Sequence, residues 1–393
     1  MSQGLKKMNK PDYQDGSIVN LMSAICTACD AGISPYAPHR DLAVTELKEA
    51  KNIILLLIDG LGYDYIKRHG AGSTFEKYIK TSMTSVFPTT TSSAVTTFAT
   101  AVAPMQHAIT GWFMHLKELG CVTAVLPFTP RVTMQPFNSD RVDISQVLQL
   151  NPVFTHLNRL SYVVNHKRIV DSSFSVLSTV GAERIEYYGL SDFFAQIINL
   201  AKMNEAKKYI HAYWADFDAL CHVHGVDSDI VHQHFKDLDE EFAELLNYLQ
   251  GTDSAVIVTA DHGLIDCDAQ NLVHLESHPD LAQMLTLPLC GEPRVAYCYL
   301  KPDKTSAFEA YVQNHLASHC DLHRSEDLIA ANYFGLGTAN EKLAQRIGDY
   351  ALIMKSNHVI KDCLMGEKPF TQIGVHGGLD ERELLVPLIY TTC

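Results

Sequence analysis

The feature that most constrains the fold is the segment from Lys51 to Gly62, KNIILLLIDGLG. Its six consecutive apolar residues, Ile53 to Ile58, form a run too short to span a membrane, and the run stops at Asp59 before a glycine-containing turn. This pattern predicts a buried central strand with a carboxylate at its carboxyl end. Because ligands bind outside the carboxyl ends of strands in open parallel sheets, Asp59 is a candidate functional residue, with an ordinary turn aspartate as the alternative.

From Ile53 onward, short apolar runs alternate with polar or glycine-containing turns and with segments of helical periodicity. This alternation predicts an α/β fold with a doubly wound, mostly parallel central sheet and helices on both faces. We expect three parts, which are an N-terminal preface packing on the core (1–50), a catalytic core (51–289 and 366–393) and a smaller inserted cap or substrate subdomain (290–365). Within the cap, Glu292 to Lys301 alternates like a strand that is exposed on one face.

A run of five hydroxyl residues follows Pro88 in the segment FPTTTSSAVTTFATAVAP and precedes a helix of small residues. A hydroxyl at such a helix N-terminus lies where free amides and the helix dipole favour an anion or a developing alkoxide, which makes Thr91 a candidate nucleophile. Helix capping is the alternative explanation, since serine and threonine are preferred cap residues.

Three later stretches add potential metal ligands. In DFDALCHVHG, Asp218 and His222 lie four residues apart, so one helical turn places both on the same face. Asp261 and His262 directly follow the apolar run VIVTA, and His376 lies beside two glycines in VHGG, which leave room for close approach of a ligand. Together with Asp59 they form two sets of about three nitrogen and oxygen ligands, a complement that suits a pair of zinc-like ions. Such a pair is suited to in-line displacement at phosphorus.

Charge and cysteine content limit the partners and the compartment. The chain has 31 basic and 45 acidic residues, a formal net charge of −14, so we expect no binding to duplex nucleic acid. Ten cysteines lack regular spacing, and the only close pair, Cys26 and Cys29, is expected to be buried or idle. Without a recognisable signal peptide or membrane-spanning helix, we expect no membrane association and a cytoplasmic location, although secretion without a signal stays open. The sequence does not define the oligomeric state.

Five segments in order, LLLIDG, FPTTT, DFDALCHVHG, TADHG and VHGG, resemble the motifs of the alkaline phosphatase superfamily. Within it, the chain is similar to the nucleotide pyrophosphatase/phosphodiesterase (type I phosphodiesterase) family over Asn52 to Pro387. The resemblance implies an alkaline-phosphatase-like fold, two divalent metal ions with Zn²⁺ as the expected metal, and a small phosphate-ester substrate, with a nucleotide as the expected one. It further implies hydrolysis of phosphodiester or nucleotide pyrophosphate bonds through a covalent phospho-threonine intermediate.

The same resemblance assigns roles to individual residues. One metal ion would be held by Asp218, His222 and His376, and the other by Asp59, Asp261 and His262. The nucleophile position falls on Thr91, with Thr89, Thr90 and Ser92 as neighbouring alternatives. Asp216 and His224 are near-miss ligands, because the spacing of the family motif fits Asp218 and His222.

One departure from the family concerns substrate binding. The family has an asparagine five residues after the histidine that matches His107, where it hydrogen-bonds a phosphate oxygen, but this chain has Trp112 there. The indole could stack on a base or simply pack, and the oxyanion contact would then fall to the amide of Ser92. A phosphomonoesterase, a phosphonate hydrolase or a catalytically silent nucleotide-binding protein are therefore alternatives. Arg294 and Tyr297 are possible leaving-group contacts or structural residues.

Overall fold

A computed structural model describes residues 8–203 and 205–393, so the first seven residues of the expected preface lie outside the described residues. The α-helices are α1 Ile18–Ala28, α2 Val44–Glu49, α3 Tyr63–His69, α4 Thr74–Lys77, α5 Thr91–Thr100, α6 Pro104–His107, α7 Ile144–Leu148, α8 Ser173–Ser178, α9 Leu190–Lys202, α10 Asp216–His224, α11 Asp229–Tyr248, α12 Pro279–Met284, α13 Thr305–His315, α14 Ser325–Ala330, α15 Leu343–Arg346 and α16 Glu381–Leu384. The strands are β1 Asn52–Ile58, β2 Ile79–Thr84, β3 Phe113–Leu116, β4 Cys121–Ala124, β5 Thr129–Pro130, β6 Leu160–His166, β7 Glu183–Tyr187, β8 Lys208–Trp214, β9 Ser254–Thr259, β10 Ile265–Asp266, β11 Leu272–His274, β12 Cys290–Glu292, β13 Val295–Cys298, β14 Cys320–Arg324, β15 Tyr350–Met354, β16 Val359–Lys361, β17 Gly374–Val375 and β18 Leu385–Thr392. None of the helices in these ranges is both long enough and apolar enough to cross a bilayer.

The central sheet has seven strands in the order β2-β18-β9-β1-β8-β6-β7. Strand β1 lies in its middle, pairs in parallel with β8 and β9, and is buried along its whole length. The parallel pairing continues through β6 and β7, and only the pairs made by β18 are antiparallel. The predicted mostly parallel sheet, built around the apolar run that precedes Asp59, is confirmed.

Helices cover both faces of this sheet, as alternate side chains of β8 show. On one face, the ring of His211 contacts Phe98 of α5 at a centroid separation of 6.2 Å. On the other face, Trp214 packs against Phe193 of α9 at 5.3 Å and donates a hydrogen bond to His234 of α11. Because residues of opposite parity point to opposite sides of a strand, the two groups of helices sandwich the sheet, as predicted.

The strand register brings the carboxyl ends of three central strands together. Ile58, the last residue of β1, is level with Trp214 at the end of β8, and Leu57 is level with Thr259 at the end of β9. The polar residues that follow each strand therefore emerge at one edge of the sheet.

A second sheet of seven strands, all antiparallel, has the order β14-β15-β13-β12-β3-β4-β5. It joins strands from the expected cap to strands within 113–130, a segment that the sequence placed with the core. The link is the pairing of Gly291 with Phe113. The division of the chain into preface, core and cap stays a prediction.

The expectation of an exposed face on the strand near Glu292 is wrong. All four residues of β13 are buried, because each face of the strand is covered by its own apolar cluster. Val295 and Tyr297 pack in one cluster with Phe334, while Ala296 and Cys298 pack in another with Phe308. The alternation in the sequence therefore reflects two buried faces of different composition.

Candidate active site

Asp59, Asp261 and His262 form the first of two groups at the edge of the central sheet. Asp59 directly follows β1, and Asp261 and His262 follow β9, so the parallel pairing of these strands brings the side chains together. One ligand atom from each residue lies within 4.8 Å of the others, and all three residues are buried.

Asp218, His222 and His376 form the second group. The first two lie one turn apart on α10, with His222 Nε2 3.1 Å from the Asp218 carboxylate, while His376 follows β17. Their ligand atoms also lie within 4.8 Å of one another. The rings of His376 and His262 stack at a centroid separation of 3.7 Å, which places the two groups side by side.

A backbone carbonyl orients each of the three histidines. Nδ1 of His222 lies 2.7 Å from the carbonyl oxygen of Gly374, Nδ1 of His262 lies 3.1 Å from that of Gly263, and Nδ1 of His376 lies 3.1 Å from that of Thr89. When Nδ1 donates to a carbonyl, the lone pair is on Nε2 and available to a cation. The arrangement is typical of histidines that bind metal.

The carboxylates of the two groups are not compensated by basic side chains. One oxygen of each of Asp59, Asp218 and Asp261 is buried and has no hydrogen-bond partner, and no lysine or arginine pairs with these carboxylates among the described residues. Buried carboxylate oxygens without partners are costly, and a bound cation would compensate them. Three carboxylates and three imidazoles, in two sets of three, fit a pair of zinc-like ions.

Burial and neighbouring charged groups also shift the pKa values of Asp59 and His376. Burial, followed by the charges of Asp261 and Asp218, raises the pKa of Asp59 well above its usual range. Burial together with the neighbouring His262 lowers the pKa of His376 well below its usual range, so this imidazole is neutral and able to bind a cation.

Thr91 is the residue of the hydroxyl run after Pro88 that faces this site. It is the first residue of α5, and its Oγ1 lies 3.1 Å from Nε2 of His262. No side chain caps α5 at Thr90, so the capping explanation does not account for the hydroxyl of Thr91. As the first residue of a ten-residue helix, Thr91 lies beside backbone amides that have no partner within the helix, and such amides favour an anion.

The neighbouring hydroxyls point elsewhere. Thr89 Oγ1 donates to the carbonyl of Gly378, and Thr90 Oγ1 donates to Glu292 at 2.5 Å. The Ser92 hydroxyl is buried, has no hydrogen-bond partner and is not among the residues that line the site cavities, so only its amide remains a candidate donor. The near-miss ligands Asp216 and His224 lie outside both groups.

Two cavities meet at Thr91. We call the first, of about 610 Å³, the apolar chamber; it is bordered by Asp59 and lined largely by apolar side chains such as Phe154 and Phe174. We call the second, of about 340 Å³, the polar chamber; it is lined by His222, His376, Glu292 and Lys361. Thr91, Trp112 and Asp218 line both chambers.

Trp112 therefore lies beside the candidate nucleophile, where the sequence placed it. Its backbone amide donates to Glu292 at 2.6 Å, and Glu292 also accepts from Thr90, so this buried carboxylate ties the tryptophan loop to the start of α5. Burial raises the pKa of Glu292. His107, five residues before Trp112, is buried, and its Nδ1 accepts a hydrogen bond from the amide of Ile109.

Sequence reasoning missed three residues around the site. The Tyr213 hydroxyl donates to Asp59. Tyr213 lies near the end of β8, level with Leu57, and this position at the carboxyl end of a strand could have identified it as a site residue. Glu292 and Lys361 come from the second sheet and from β16, and no local motif marks them. Arg294 and Tyr297, suggested as leaving-group contacts, line neither chamber.

Comparisons with known proteins agree with this geometry. The family model for type I phosphodiesterase/nucleotide pyrophosphatase matches residues 53–379. The fold is similar to murine ectonucleotide pyrophosphatase/phosphodiesterase 5, with 18% identity, 86% of this chain and 87% of that chain covered, and a TM-score of 0.64. It is also similar to phosphonoacetate hydrolase from Sinorhizobium meliloti, with 16% identity, 86% and 89% covered, and a TM-score of 0.62. Comparison with curated protein sequences found no match. The match over most of the chain identifies it as a member of the type I phosphodiesterase/nucleotide pyrophosphatase family of the alkaline phosphatase superfamily, and thus as a phosphoric-ester hydrolase.

Proposed function

We propose that the protein is a two-metal hydrolase that cleaves phosphodiester or nucleotide pyrophosphate bonds through a phospho-Thr91 intermediate. The observation that carries the proposal is the position of Thr91 Oγ1, 3.1 Å from His262 within the six candidate ligands. An inactive variant of the murine ectonucleotide pyrophosphatase/phosphodiesterase 5 is known in complex with AMP, which supports a nucleotide as the substrate class.

The six side chains would hold two divalent ions, one in each group, and we expect zinc from the nitrogen and oxygen donors. Bound there, the ions would lower the pKa of the Thr91 hydroxyl and neutralise negative charge on the phosphate.

The chain's own residues set up the displacement. Thr91 Oγ1, near His262, is positioned to attack phosphorus, which forms the Oγ1–P bond as the bond to the leaving oxygen breaks on the opposite side. The amides at the start of α5 would donate to the phosphate oxygens, and we assign this role to Ser92 because the Trp112 side chain offers a single N–H donor where the family has an asparagine amide. Water then cleaves the Oγ1–P bond, releases the phosphoryl product and restores the hydroxyl.

Trp112 sets the expected selectivity. Trp112 lines both chambers, so we expect an organic group of the substrate to bind in the apolar chamber and to contact the indole ring. A phosphomonoesterase, a phosphonate hydrolase and a silent nucleotide-binding protein are the alternatives, and each predicts a different substrate response.

The test is zinc-dependent hydrolysis of bis-p-nitrophenyl phosphate and p-nitrophenyl phosphate by the wild type, Thr91→Ala and Ser93→Ala. The proposal predicts preference for the diester, loss of turnover with retained metal in Thr91→Ala, and unchanged turnover in Ser93→Ala, whose hydroxyl has no partner. Full activity of Thr91→Ala would contradict the covalent mechanism. Preference for the monoester would favour a phosphomonoesterase, while bound metal and a bound nucleotide without turnover would favour the silent binding protein.

We also propose a cytoplasmic location. All ten cysteines are free, and burial raises the pKa of Cys26 to about 12, so this thiol stays protonated. Fractionation of cells expressing the full-length protein tests this, and recovery outside the cytoplasm would contradict it.

A further inference from the structure

Glu292 holds two segments of the candidate active site on a single oxygen atom. Its Oε1 accepts a hydrogen bond from the Thr90 hydroxyl at 2.5 Å and another from the Trp112 backbone amide at 2.6 Å. Glu292 is buried and is the last residue of β12. The two donors belong to different parts of the chain, so this one carboxylate joins the start of α5 to the loop that carries Trp112.

The segment that leads to the nucleophile is held at two successive residues. Thr89 Oγ1 accepts the amide of Gly377 at 3.2 Å, which ties this residue to the loop after β17. The hydroxyl of Thr90 donates to Glu292 instead of capping α5. Thr91 follows directly, so the direction of its side chain depends on the backbone that these two contacts fix.

Two glycines allow the loop of Trp112 to approach β12. A β-carbon on Gly111 would lie 2.6 Å from Cα of Gly291, so the two backbones pack directly against each other. Gly291 also pairs with Phe113, the residue after Trp112. This close approach brings the Trp112 amide to the side chain of Glu292, and the contact is therefore supported by backbone packing on both sides.

The position of Glu292 bears on the reaction more than on the metal ligands. Thr91 and Trp112 line both chambers, and the two hydrogen bonds to Glu292 set their relative positions. A shift of about 1 Å in a reacting group can lower a rate about 100-fold. Glu292 belongs to neither ligand group, so its replacement leaves all six candidate ligands in place.

We propose that Glu292 is a positioning residue, which fixes the hydroxyl of Thr91 relative to the indole of Trp112 and thereby sets the rate of transfer to Thr91. This inference rests on the proposed function and adds a residue to it. The role requires an acceptor oxygen at this position, and the amide oxygen of a glutamine can also accept two hydrogen bonds.

The experiment compares Glu292→Leu, which removes the acceptor, with Glu292→Gln, which keeps it. For bis-p-nitrophenyl phosphate, Glu292→Leu should lower kcat/KM about 10- to 100-fold without loss of bound zinc, while Glu292→Gln should stay within about fivefold of the wild type. Glu276→Leu is the matched control and should leave kcat/KM unchanged. Glu276 also accepts a backbone amide, from Cys363 at 2.5 Å, but lines neither chamber.

The partner on α5 provides a second variant. Thr90→Val removes only the hydroxyl donor and should lower kcat/KM about 10-fold, the loss expected for one hydrogen bond to a charged group. Because both changes act through one oxygen, Thr90→Val combined with Glu292→Leu should lose no more than Glu292→Leu alone. If thermal unfolding shows that Glu292→Leu does not fold, Thr90→Val carries the test, and unchanged kcat/KM in that variant would overturn the inference.

A fluorescence measurement separates this inference from the proposed function. The chain has two tryptophans, and Trp214 is only 1% exposed. Acrylamide quenching of Trp112, obtained by subtracting the signal of the matched Trp112→Phe protein, should increase in Glu292→Leu but not in Glu292→Gln. Unchanged quenching, unchanged kcat/KM in folded Glu292→Leu, or an equal loss in Glu292→Gln would overturn the inference. If the wild type hydrolyses no p-nitrophenyl ester, the proposed function fails, and quenching still decides whether Glu292 positions Trp112.

Discussion

Replacing Glu383 by glutamine is expected to destabilise the protein and to loosen the loop that carries His376. The side chains of Glu383 and Arg294 are almost completely buried, at 0% and 1% exposure, and pair at 2.8 Å. Glu383 also accepts the amide of Gly378 at 2.7 Å, two residues after His376. The buried pair therefore fixes the loop of this candidate metal ligand against β13.

The size of the effect follows from the charge that is left behind. Glu383→Gln keeps an acceptor for Gly378 but leaves the Arg294 guanidinium buried without its carboxylate, which costs about 3–5 kcal/mol. With an unfolding entropy of roughly 2 cal/mol/K per residue, this corresponds to a fall in melting temperature of roughly 4–6 °C for a chain of this length. Metal affinity should fall as well, because His376 loses its anchor.

The assay is thermal and denaturant unfolding of Glu383→Gln, Arg294→Met and the double variant, with chelator competition for metal affinity. The double variant should lose less stability than the sum of the single variants, since no lone charge remains buried. The exposed pair of Arg324 and Glu309 provides the control, and Arg324→Met should change stability by less than about 1 kcal/mol. A loss below about 1 kcal/mol in Glu383→Gln, or full additivity in the double variant, would refute the reasoning.

Three further outcomes are expected. Tyr213→Phe removes the hydroxyl that donates to Asp59. Metal affinity, measured by chelator competition, or kcat/KM, measured by steady-state kinetics, should fall about 10- to 100-fold without a change in fold. In the metal-free protein, burial opposes the charging of His222, but the Asp218 carboxylate outweighs it and raises the pKa of His222 from 6.5 to about 9. This stabilisation is complete below about pH 6.5 and disappears as the pH rises towards about 9, so unfolding midpoints should decline over that window and Asp218→Asn should abolish the decline. Asp216→Asn, a change outside both ligand groups, should keep full metal content by atomic absorption, and loss of a metal ion would contradict the ligand assignment.

The sequence was informative where local pattern and structure coincide. The apolar run before Asp59 predicted a buried strand, which the structure confirms, and parallel pairing then brings the ends of β1, β8 and β9 to one edge. The four-residue spacing of Asp218 and His222 is preserved on α10, where their side chains meet at 3.1 Å. Both features depend on short-range geometry, which a sequence specifies directly.

What the sequence missed depends on contacts between distant segments. The burial of both faces of β13 requires two clusters drawn from remote parts of the chain, so alternation alone suggested an exposed face. Lys361 carries no motif, and it enters the polar chamber only because β16 pairs with β11. The choice of Thr91 among neighbouring hydroxyls depends on side-chain directions at the start of α5, which spacing does not determine.

The central claim is that Thr91 forms a covalent bond to phosphorus between the two ligand groups. Acid quenching of the zinc-loaded protein during turnover of bis-p-nitrophenyl phosphate, followed by peptide mass spectrometry, tests it directly. We predict a p-nitrophenylphosphoryl adduct on Thr91, formed as one p-nitrophenolate leaves, that is absent from Thr91→Ala. Steady turnover with no adduct at Thr91, or with the adduct on Thr89, Thr90 or Ser92, would contradict it.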